Sequence, residues 1–240
     1  MATYKDKMKI VSWNCNGGFR KKYKELFNAY PDADLFMVQE CENPDFYNSR
    51  DYKALFQKGF HVGTPDYSMK GIGVFAPKGN WLRRTKCIYG NPLHMMGYAF
   101  FEVDNIYKML AVWPHGKYVE EMIDFFLLNE SLFTKDLLIM GDTNSCSVFN
   151  NHHPKNKNHD VLVGLLKDKG LVDSYNYCTG EAEGEESIPT FYLQRKKIKP
   201  YHLDRCFVSP ERVESFKVAE NHDYWLTVSD HIPIEIKLKF

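Results

Sequence analysis

The sequence predicts an α+β fold in which two packed sheets are flanked by helices. Three observations carry this. Short apolar runs bounded by Gly, Asn, Asp or Pro recur through the whole chain, as buried strands do. Helical periodicity appears in only a few segments, too few for a doubly wound parallel sheet. Neither an internal repeat nor a Pro/Gly/Ser-rich linker divides the 240 residues, so residues 1–240 are expected to form one domain.

In chain order, residues 8–13 (MKIVSW) are a short apolar run bounded by Asn and Gly, the pattern of a buried strand. Residues 19–29 follow with helix formers and a basic face, and Pro31 closes them. Residues 34–39 (DLFMVQ) form a second buried strand. Residues 71–76, 98–103 and 108–113 also read as strands, the last two joined at Asp104-Asn105, a hairpin signal without its usual Gly. Residues 118–130 form an amphipathic helix and 136–140 a buried strand. Residues 161–169 form a short helix that Gly170 terminates. Strands follow near 190–193, 202–208, 216–219 and 232–238. The last alternates apolar and charged residues, so one of its faces is expected to meet solvent. The acidic segment 180–187 and the basic run 195–199 read as surface loops.

Composition narrows the function. Hydrophobic residues are 44% and charged residues 26%, the balance of a soluble globule. Charge is even, with 31 Lys+Arg against 31 Asp+Glu, which argues against a protein that grips long nucleic acid through overall positive charge. No apolar run approaches the ~20 residues a membrane span needs, and no apolar stretch follows the first residues as in a secretory leader. The six cysteines are scattered without a CxxC pair, so a thiolate zinc site is disfavoured and free thiols are expected. A cytoplasmic protein with no membrane contact and no obligate protein partner is the expectation.

Polar clusters stand where the apolar strands end, the place where a rigid sheet presents loops for chemistry. They are Trp13-Asn14-Cys15-Asn16-Gly17, Gln39-Glu40, Gly141-Asp142-Thr143-Asn144-Ser145 and Ser229-Asp230-His231. A fifth, Tyr201-His202-Leu203-Asp204-Arg205, lies inside a strand, where a buried carboxylate needs a strong partner such as His231. Glu40, Asp142, Asp204 and Asp230 with Asn14, Asn16 and Asn144 make an oxygen-rich set suited to a hard cation such as Mg²⁺. An Asp–His pair can hold an imidazole charged beside a developing negative charge. Together these suit metal-assisted phosphoester hydrolysis.

The order and wording of these clusters resembles the endonuclease/exonuclease/phosphatase superfamily, which holds exonuclease III-type enzymes, abasic-site endonucleases, pancreatic deoxyribonuclease, neutral sphingomyelinases and inositol-polyphosphate phosphatases. The resemblance runs through Lys9-Ile-Val-Ser-Trp-Asn-Cys-Asn-Gly17, Val38-Gln-Glu40, Ile139-Met-Gly-Asp-Thr-Asn-Ser145, His202-Leu-Asp-Arg-Cys-Phe-Val-Ser209 and Ser229-Asp-His-Ile-Pro-Ile234. It implies a four-layer αββα sandwich of two packed mixed sheets flanked by helices, with the site at one edge of both sheets. It implies Glu40 as principal Mg²⁺ ligand (Mn²⁺ as a possible substitute), helped by Asn16, with Asp230 assisting the metal or its waters. Asp142 would position or deprotonate the attacking water, Asn144 would bind the scissile phosphate, and His231, oriented by Asp204, would stabilise transition-state charge. Asn14 would hold the network together and face the substrate.

One departure stands out. Trp113 occupies a place where the family usually has Tyr or His, and it cannot act as acid or base. His115, after Pro114, is the candidate replacement, with a solvated turn histidine as the alternative. A second departure is Arg205, which either adds a cation near the site or points outward. Phe191, Tyr192 and Arg195 combine aromatics with a basic run, suited to stacking on a base with phosphate contacts nearby. His152, His153 and His159 do not show helical metal-ligand spacing and read as a flexible loop, whose Lys155 and Lys157 are within the possible reach of substrate. The expected function is a Mg²⁺-dependent nuclease acting on DNA or RNA. The alternatives are a phosphatase or phosphodiesterase of a nucleotide, inositol phosphate or lipid head group, and a binding protein with a degenerate site.

Overall fold

The computed structural model of the chain describes residues 7–63, 69–79, 82–84, 97–103 and 107–240. The first half holds β1 (Lys7–Asn14), α1 (Phe19–Ala29), β2 (Leu35–Glu42), α2 (Arg50–Leu55), β3 (Gly59–Gly63), β4 (Lys70–Phe75), β5 (Leu82–Arg84), β6 (Tyr98–Val103) and β7 (Tyr107–Val112). Then come α3 (Val119–Leu128), β8 (Leu137–Asp142), α4 (His159–Asp168), β9 (Val172–Asp173) and α5 (Ser174–Thr179). A two-stranded ribbon, β10 (Phe191–Tyr192) with β11 (Pro200–Tyr201), precedes β12 (Asp204–Val208), β13 (Val213–Val218), α6 (His222–Val228) and β14 (Ile234–Lys239).

One six-stranded sheet has the order β13-β14-β1-β2-β4-β3, the other β5-β6-β7-β8-β12-β9. In the first, β1 and β2 are parallel and every other pairing is antiparallel. In the second, β7 and β8 form the one parallel pair. Each parallel pair is joined through a helix, α1 or α3, because parallel neighbours need a crossover. The two sheets therefore share one pattern of strand directions.

Side chains alternate across each strand, and this sorts the core into layers. Ile10, Met37 and Val74 of the first sheet meet Met109, Ala111 and Met140 of the second. The outer face of the first sheet, with Val11 and Phe36, is covered by Phe19 and Leu26 of α1, Tyr52 of α2 and Trp225 of α6. Leu110 and Ile139 on the outer face of the second sheet lie under Ile123 of α3 and Leu162 of α4. Each such apolar side chain contributes roughly 1.5–3 kcal/mol by leaving water. The result is the expected αββα sandwich.

Several details differ from the sequence reading. The strand β3 and the helices α2, α5 and α6 carry too few residues of clear periodicity to be read. Glu40 sits inside β2, not after it. The face of β14 expected to meet solvent does so only toward the strand's end: Glu235 is buried and paired with Lys9 at 2.8 Å, while Lys237 is half-buried and Lys239 exposed. The acidic segment 180–187 is anchored, since Glu183 and Glu186 bind the buried Arg205. The hairpin expected at Asp104-Asn105 lies outside the described residues. The described cysteines Cys15, Cys41, Cys146, Cys178 and Cys206 are free thiols, as expected. Among the described residues no helix is long and apolar enough to cross a membrane.

Candidate active site

The pairing of β8 with β12 sets Asp142 directly across from Asp204. Both carboxylates are buried, and so is His231 just before β14. The His231 Nδ1–H donates to Asp204 Oδ2 at 2.8 Å, and Nε2 stands 3.8 Å from Asp142 Oδ2. Asp142 also accepts from Asn14 Nδ2 through Oδ2 and from the Asn144 amide through Oδ1, both at 2.8 Å. Asn14 Oδ1 accepts from the Asn16 amide at 2.9 Å. The network thus joins β1 of one sheet to β8 and β12 of the other.

Buried scaffolding holds these groups. Thr190 Oγ1 accepts from the amides of Leu203 and Asp204 at 3.0 and 2.9 Å. Ser229 Oγ donates to Asn14 O and accepts from the His231 amide. Trp13 Nε1 donates to His231 O at 3.0 Å. Ser229 stands in the Ser229-Asp230-His231 cluster that the sequence singles out, whereas Thr190 carries no sequence signal that distinguishes it from an ordinary turn residue.

The charges are interdependent. Burial would lower the His231 pKa, but the charges of Asp204 and Asp142 and the bond to Asp204 outweigh it and raise it to about 10. The ring is an imidazolium at neutral pH. Burial raises Asp142 to about 7, with His231 pulling it down and Asp204 pushing it up. A carboxyl poised near neutrality beside a fixed cation can accept a proton from water.

Glu40 occupies a bulge in β2, where the register with β4 shifts between Val38 and Cys41. Its φ is +54°, and Asn16 and Asn144 are likewise left-handed at +51° and +49°. Asn accepts this conformation readily, whereas for Glu it stores roughly 1–3 kcal/mol of strain. The bulge re-aims the Glu40 carboxylate, which binds the Lys70 ammonium at 2.8 Å. A Cβ on Gly17 would lie 2.9 Å from that ammonium, so Lys70 Nζ is wedged between Glu40 and the turn that carries Asn16. Lys70 comes from β4, and only the β2–β4 pairing brings it here. Lys22 of α1 donates to Cys15 O at 2.7 Å and feels the charges of Glu40 and Asp230. Asp230 also acts on His231 through its charge.

His115 lies within the field of Glu40, and burial lowers its pKa, so it is neutral near pH 7. Its ring packs edge-on against Trp113 with centroids 3.9 Å apart. Asn144 Nδ2 reaches Pro114 O at 3.4 Å, which brings the His115 turn against the Asp142–Ser145 turn. The solvated-turn alternative for His115 does not hold.

The substrate-facing expectations divide. The Phe191 ring lies 4.6 Å from that of His231, beside the network. Tyr192 corrects the sequence reading: it is buried in the helix-covered core, with its hydroxyl bonded to His222 Nδ1 at 2.7 Å. Strand alternation turns it away from Phe191. Arg195 is also engaged within the chain, donating to Thr227 O at 3.0 Å and Val228 O at the end of α6, where a cation complements the helix dipole. Arg205 neither points outward nor joins the site. It is fully buried and binds Asp173 and Glu183 at 2.8 Å and Glu186 at 2.9 Å. His159 is buried too, bonded to Ser145 Oγ at 2.9 Å, while His153 meets Glu120 and Lys157 meets Asp124. These contacts replace the flexible loop that was expected there.

A divalent ion fits the donor chemistry. Glu40, Asn16 and Asp230 offer hard oxygens without a thiolate, and at Glu40 an ammonium already shows that positive charge is accommodated. Among the described residues, Asp142, Asp204 and His231 are the group with ligand atoms all within 4.8 Å of one another. Hydrogen bonds to Asp142 and a protonated His231 make that group a charge network rather than the primary cation site.

The family model described as "Endonuclease/Exonuclease/phosphatase family" matches residues 11–231. No curated protein matches the chain. Among solved structures, the 3′ phosphatase NExo from Neisseria bound to a product DNA hairpin is similar with a TM-score of 0.67 at 16% identity, over 97% of this chain and 100% of that one. An AP endonuclease from Archaeoglobus fulgidus has a TM-score of 0.67 at 15% identity, over 95% and 98%. A humanized D. rerio TDP2 has a TM-score of 0.64 at 16% identity, over 98% and 100%. At these identities the similarity shows a shared fold.

Proposed function

Because this chain belongs to the endonuclease/exonuclease/phosphatase family, we propose that it is a metal-dependent phosphoester hydrolase, and specifically a Mg²⁺-dependent nuclease. The observation that carries this is the continuous network Asn16–Asn14–Asp142–His231–Asp204, which spans both sheets beside Glu40. Glu40, with Asn16 and Asp230, would hold the ion, which when bound neutralises phosphate charge and activates water. Asp142 takes the proton of the attacking water. The His231 imidazolium, fixed by Asp204, faces the charge that grows on the phosphoryl oxygens. Asn144, its amide held by Asp142, offers its side chain to the phosphate, and Asn14 keeps Asp142 in place. His115 is neutral and near Glu40, suited to a proton transfer that Trp113 cannot make.

A second reading, hydrolysis of a short or small phosphoester, is favoured by one observation. The basic groups expected to grip a backbone are engaged elsewhere: Arg195 on α6 carbonyls, Lys157 on Asp124 and Lys197 on Asp223. The neighbours named for a DNA hairpin product and for an AP endonuclease support nucleic acid as the substrate class. The test is incubation with Mg²⁺, Mn²⁺ or EDTA against plasmid, single-stranded DNA, RNA, nucleotides and a generic phosphodiester. Metal-dependent cleavage that Glu40→Gln lowers by at least about 10²-fold supports the proposal. Cleavage of small phosphoesters alone supports the second reading. Turnover of nothing in the panel, with no Mg²⁺ bound, refutes both and leaves a degenerate binding protein.

A further inference from the structure

The turn that carries Asp142 and Asn144 is gripped from two sides. On one, Thr143 binds Leu203 O through both its amide and its hydroxyl, at 3.0 and 2.8 Å. On the other, Ser145 Oγ lies 2.9 Å from His159 Nδ1. Asn144 stands between these grips in a left-handed conformation, φ +49°, with its amide on Asp142 Oδ1 at 2.8 Å. The aim of its side chain depends on both.

His159 opens α4, its own amide bonded to Asn150 Oδ1 at 3.0 Å. Ser145 and His159 are both buried, so bulk water does not replace either partner when the other is lost. His159 Nε2 lies 3.3 Å from Glu183 Oε2, which also accepts from Arg205 Nη1 at 2.8 Å. Arg205 follows Asp204 in β12 and sits across from Gly141 in β8. A buried chain thus runs Ser145–His159–Glu183–Arg205 and returns to the strand pair that bears Asp142 and Asp204. The catalytic network uses none of its members.

Burial first, then the neighbouring Arg205 and His202, hold the His159 pKa well below its ordinary value, so the ring is neutral and carries one hydrogen. Burial pushes Glu183 up to about 7 against the pull of Arg205, so at pH 8 it is ionised and can only accept. The hydrogen is therefore on Nε2, and Nδ1 accepts from the Ser145 hydroxyl. We propose that His159 is a positioning residue: as the acceptor for Ser145 it fixes the turn that aims Asn144 at the phosphate and Asp142 at the water. The consequence for the rate rests on the hydrolase reading; the hold on the turn does not.

Side-chain length separates the two ring nitrogens. In His159→Asn the amide oxygen takes the place of Nδ1, which keeps the bond to Ser145 and gives up Glu183. In His159→Gln the amide reaches the place of Nε2, so Glu183 keeps a partner and Ser145 loses its own. On stability alone His159→Asn is the worse variant, having lost a charged partner. At the site the order should reverse. Hydrogen exchange of the Asn144 amide, read by NMR at pH 8, should be about tenfold faster in His159→Gln and in Ser145→Ala, the effect of one neutral hydrogen bond, and near wild type in His159→Asn. On the substrate that the Mg²⁺ panel turns over best, kcat should fall about tenfold or more in the first two and stay within about twofold in the third. Ring ¹⁵N shifts of the wild-type protein should show the hydrogen on His159 Nε2. Ser145→Ala removes a single buried oxygen and keeps the test readable if the ring variants fold poorly. Equal damage from His159→Asn and His159→Gln, an unchanged Ser145→Ala, or a hydrogen on Nδ1 overturns the proposal. Faster exchange with an unmoved kcat also overturns it. A wild-type protein that turns over nothing sinks the hydrolase reading, and the exchange pattern alone then decides whether His159 holds the turn.

Discussion

Asp204→Asn removes one negative charge from the buried network while keeping the side chain's size and an oxygen that can accept from His231 Nδ1. In the wild-type protein burial lowers the His231 pKa, and Asp204, then Asp142, more than reverse this, to about 10. A rise from 6.5 to about 10 is worth roughly 5 kcal/mol in favour of the imidazolium. The folded value lies above the unfolded one. The stabilisation is therefore complete below about pH 6.5 and is lost as pH rises toward 10. Asp204 is the largest raising influence, so about half of the gain is assigned to it. The variant should be less stable than wild type by about 2–3 kcal/mol at pH 6, and by less than about 1 kcal/mol near pH 10. Urea denaturation at the two pH values measures the gap. NMR titration of the His231 ring should show its pKa falling by about two pH units, and the alkaline limb of the rate profile should fall with it. An equal loss of stability at both pH values, or an unmoved His231 titration, would refute the assignment of Asp204 as the group that holds His231 charged.

Arg205→Leu leaves Asp173 and Glu186 buried without their cation and should cost about 3–5 kcal/mol at pH 7. Burial raises the Glu186 pKa, but the charge and hydrogen bond of Arg205 together with backbone amide hydrogen bonds leave it below its ordinary value, so the pair stabilises above the ordinary carboxylate range and that support is lost on acidification. The variant's deficit in a thermal melt should accordingly shrink toward pH 4. Gly17→Ala meets a φ of +65° and the Lys70 ammonium, so about 1 kcal/mol of stability should go. Displacing Lys70 from Glu40 should also change Mg²⁺ affinity, and an unchanged calorimetric titration would count against the wedge. Tyr192→Phe should leave the rate within about twofold, because the hydroxyl serves His222; a loss of tenfold or more would return Tyr192 to the substrate. Glu40→Gln should abolish most Mg²⁺ binding in calorimetry while moving the melting point little, since the side chain is partly exposed and its ion pair with Lys70 is of the weakly stabilising, solvent-screened kind.

The clusters that meet at the site were legible because each ends or begins a strand with strong apolar patterning. Asp204 is the clearest case: a carboxylate within an apolar strand demanded a partner, and His231 is that partner. What stayed hidden depends on pairing between distant segments. The left-handed bulge at Glu40 and its contact with Lys70 exist because β2 pairs with β4, and nothing local in Val38-Gln-Glu-Cys41 marks it. Arg205 was misjudged for the same reason, since Glu183 and Glu186 lie in a segment that looked like a solvated loop and Asp173 in a stretch without a clear pattern. Tyr192 shows the limit of residue type: an aromatic beside a basic run suggested stacking, but strand alternation sends Phe191 to the site and Tyr192 to the core. The short helices α5 and α6 form on packing and are too brief to show a period.

The bond from Asn14 to Asp142 crosses from one half of the sandwich to the other. The working gap of this molecule is consequently a thickness, set by methionines and alanines on facing inner surfaces and not by any surface turn. Trimming a side chain midway between the layers would detune the reacting groups without touching them, as a worn shim misaligns a pair of jaws. Evolution is then free to rewrite the outer loops while the spacing between the two halves stays pinned.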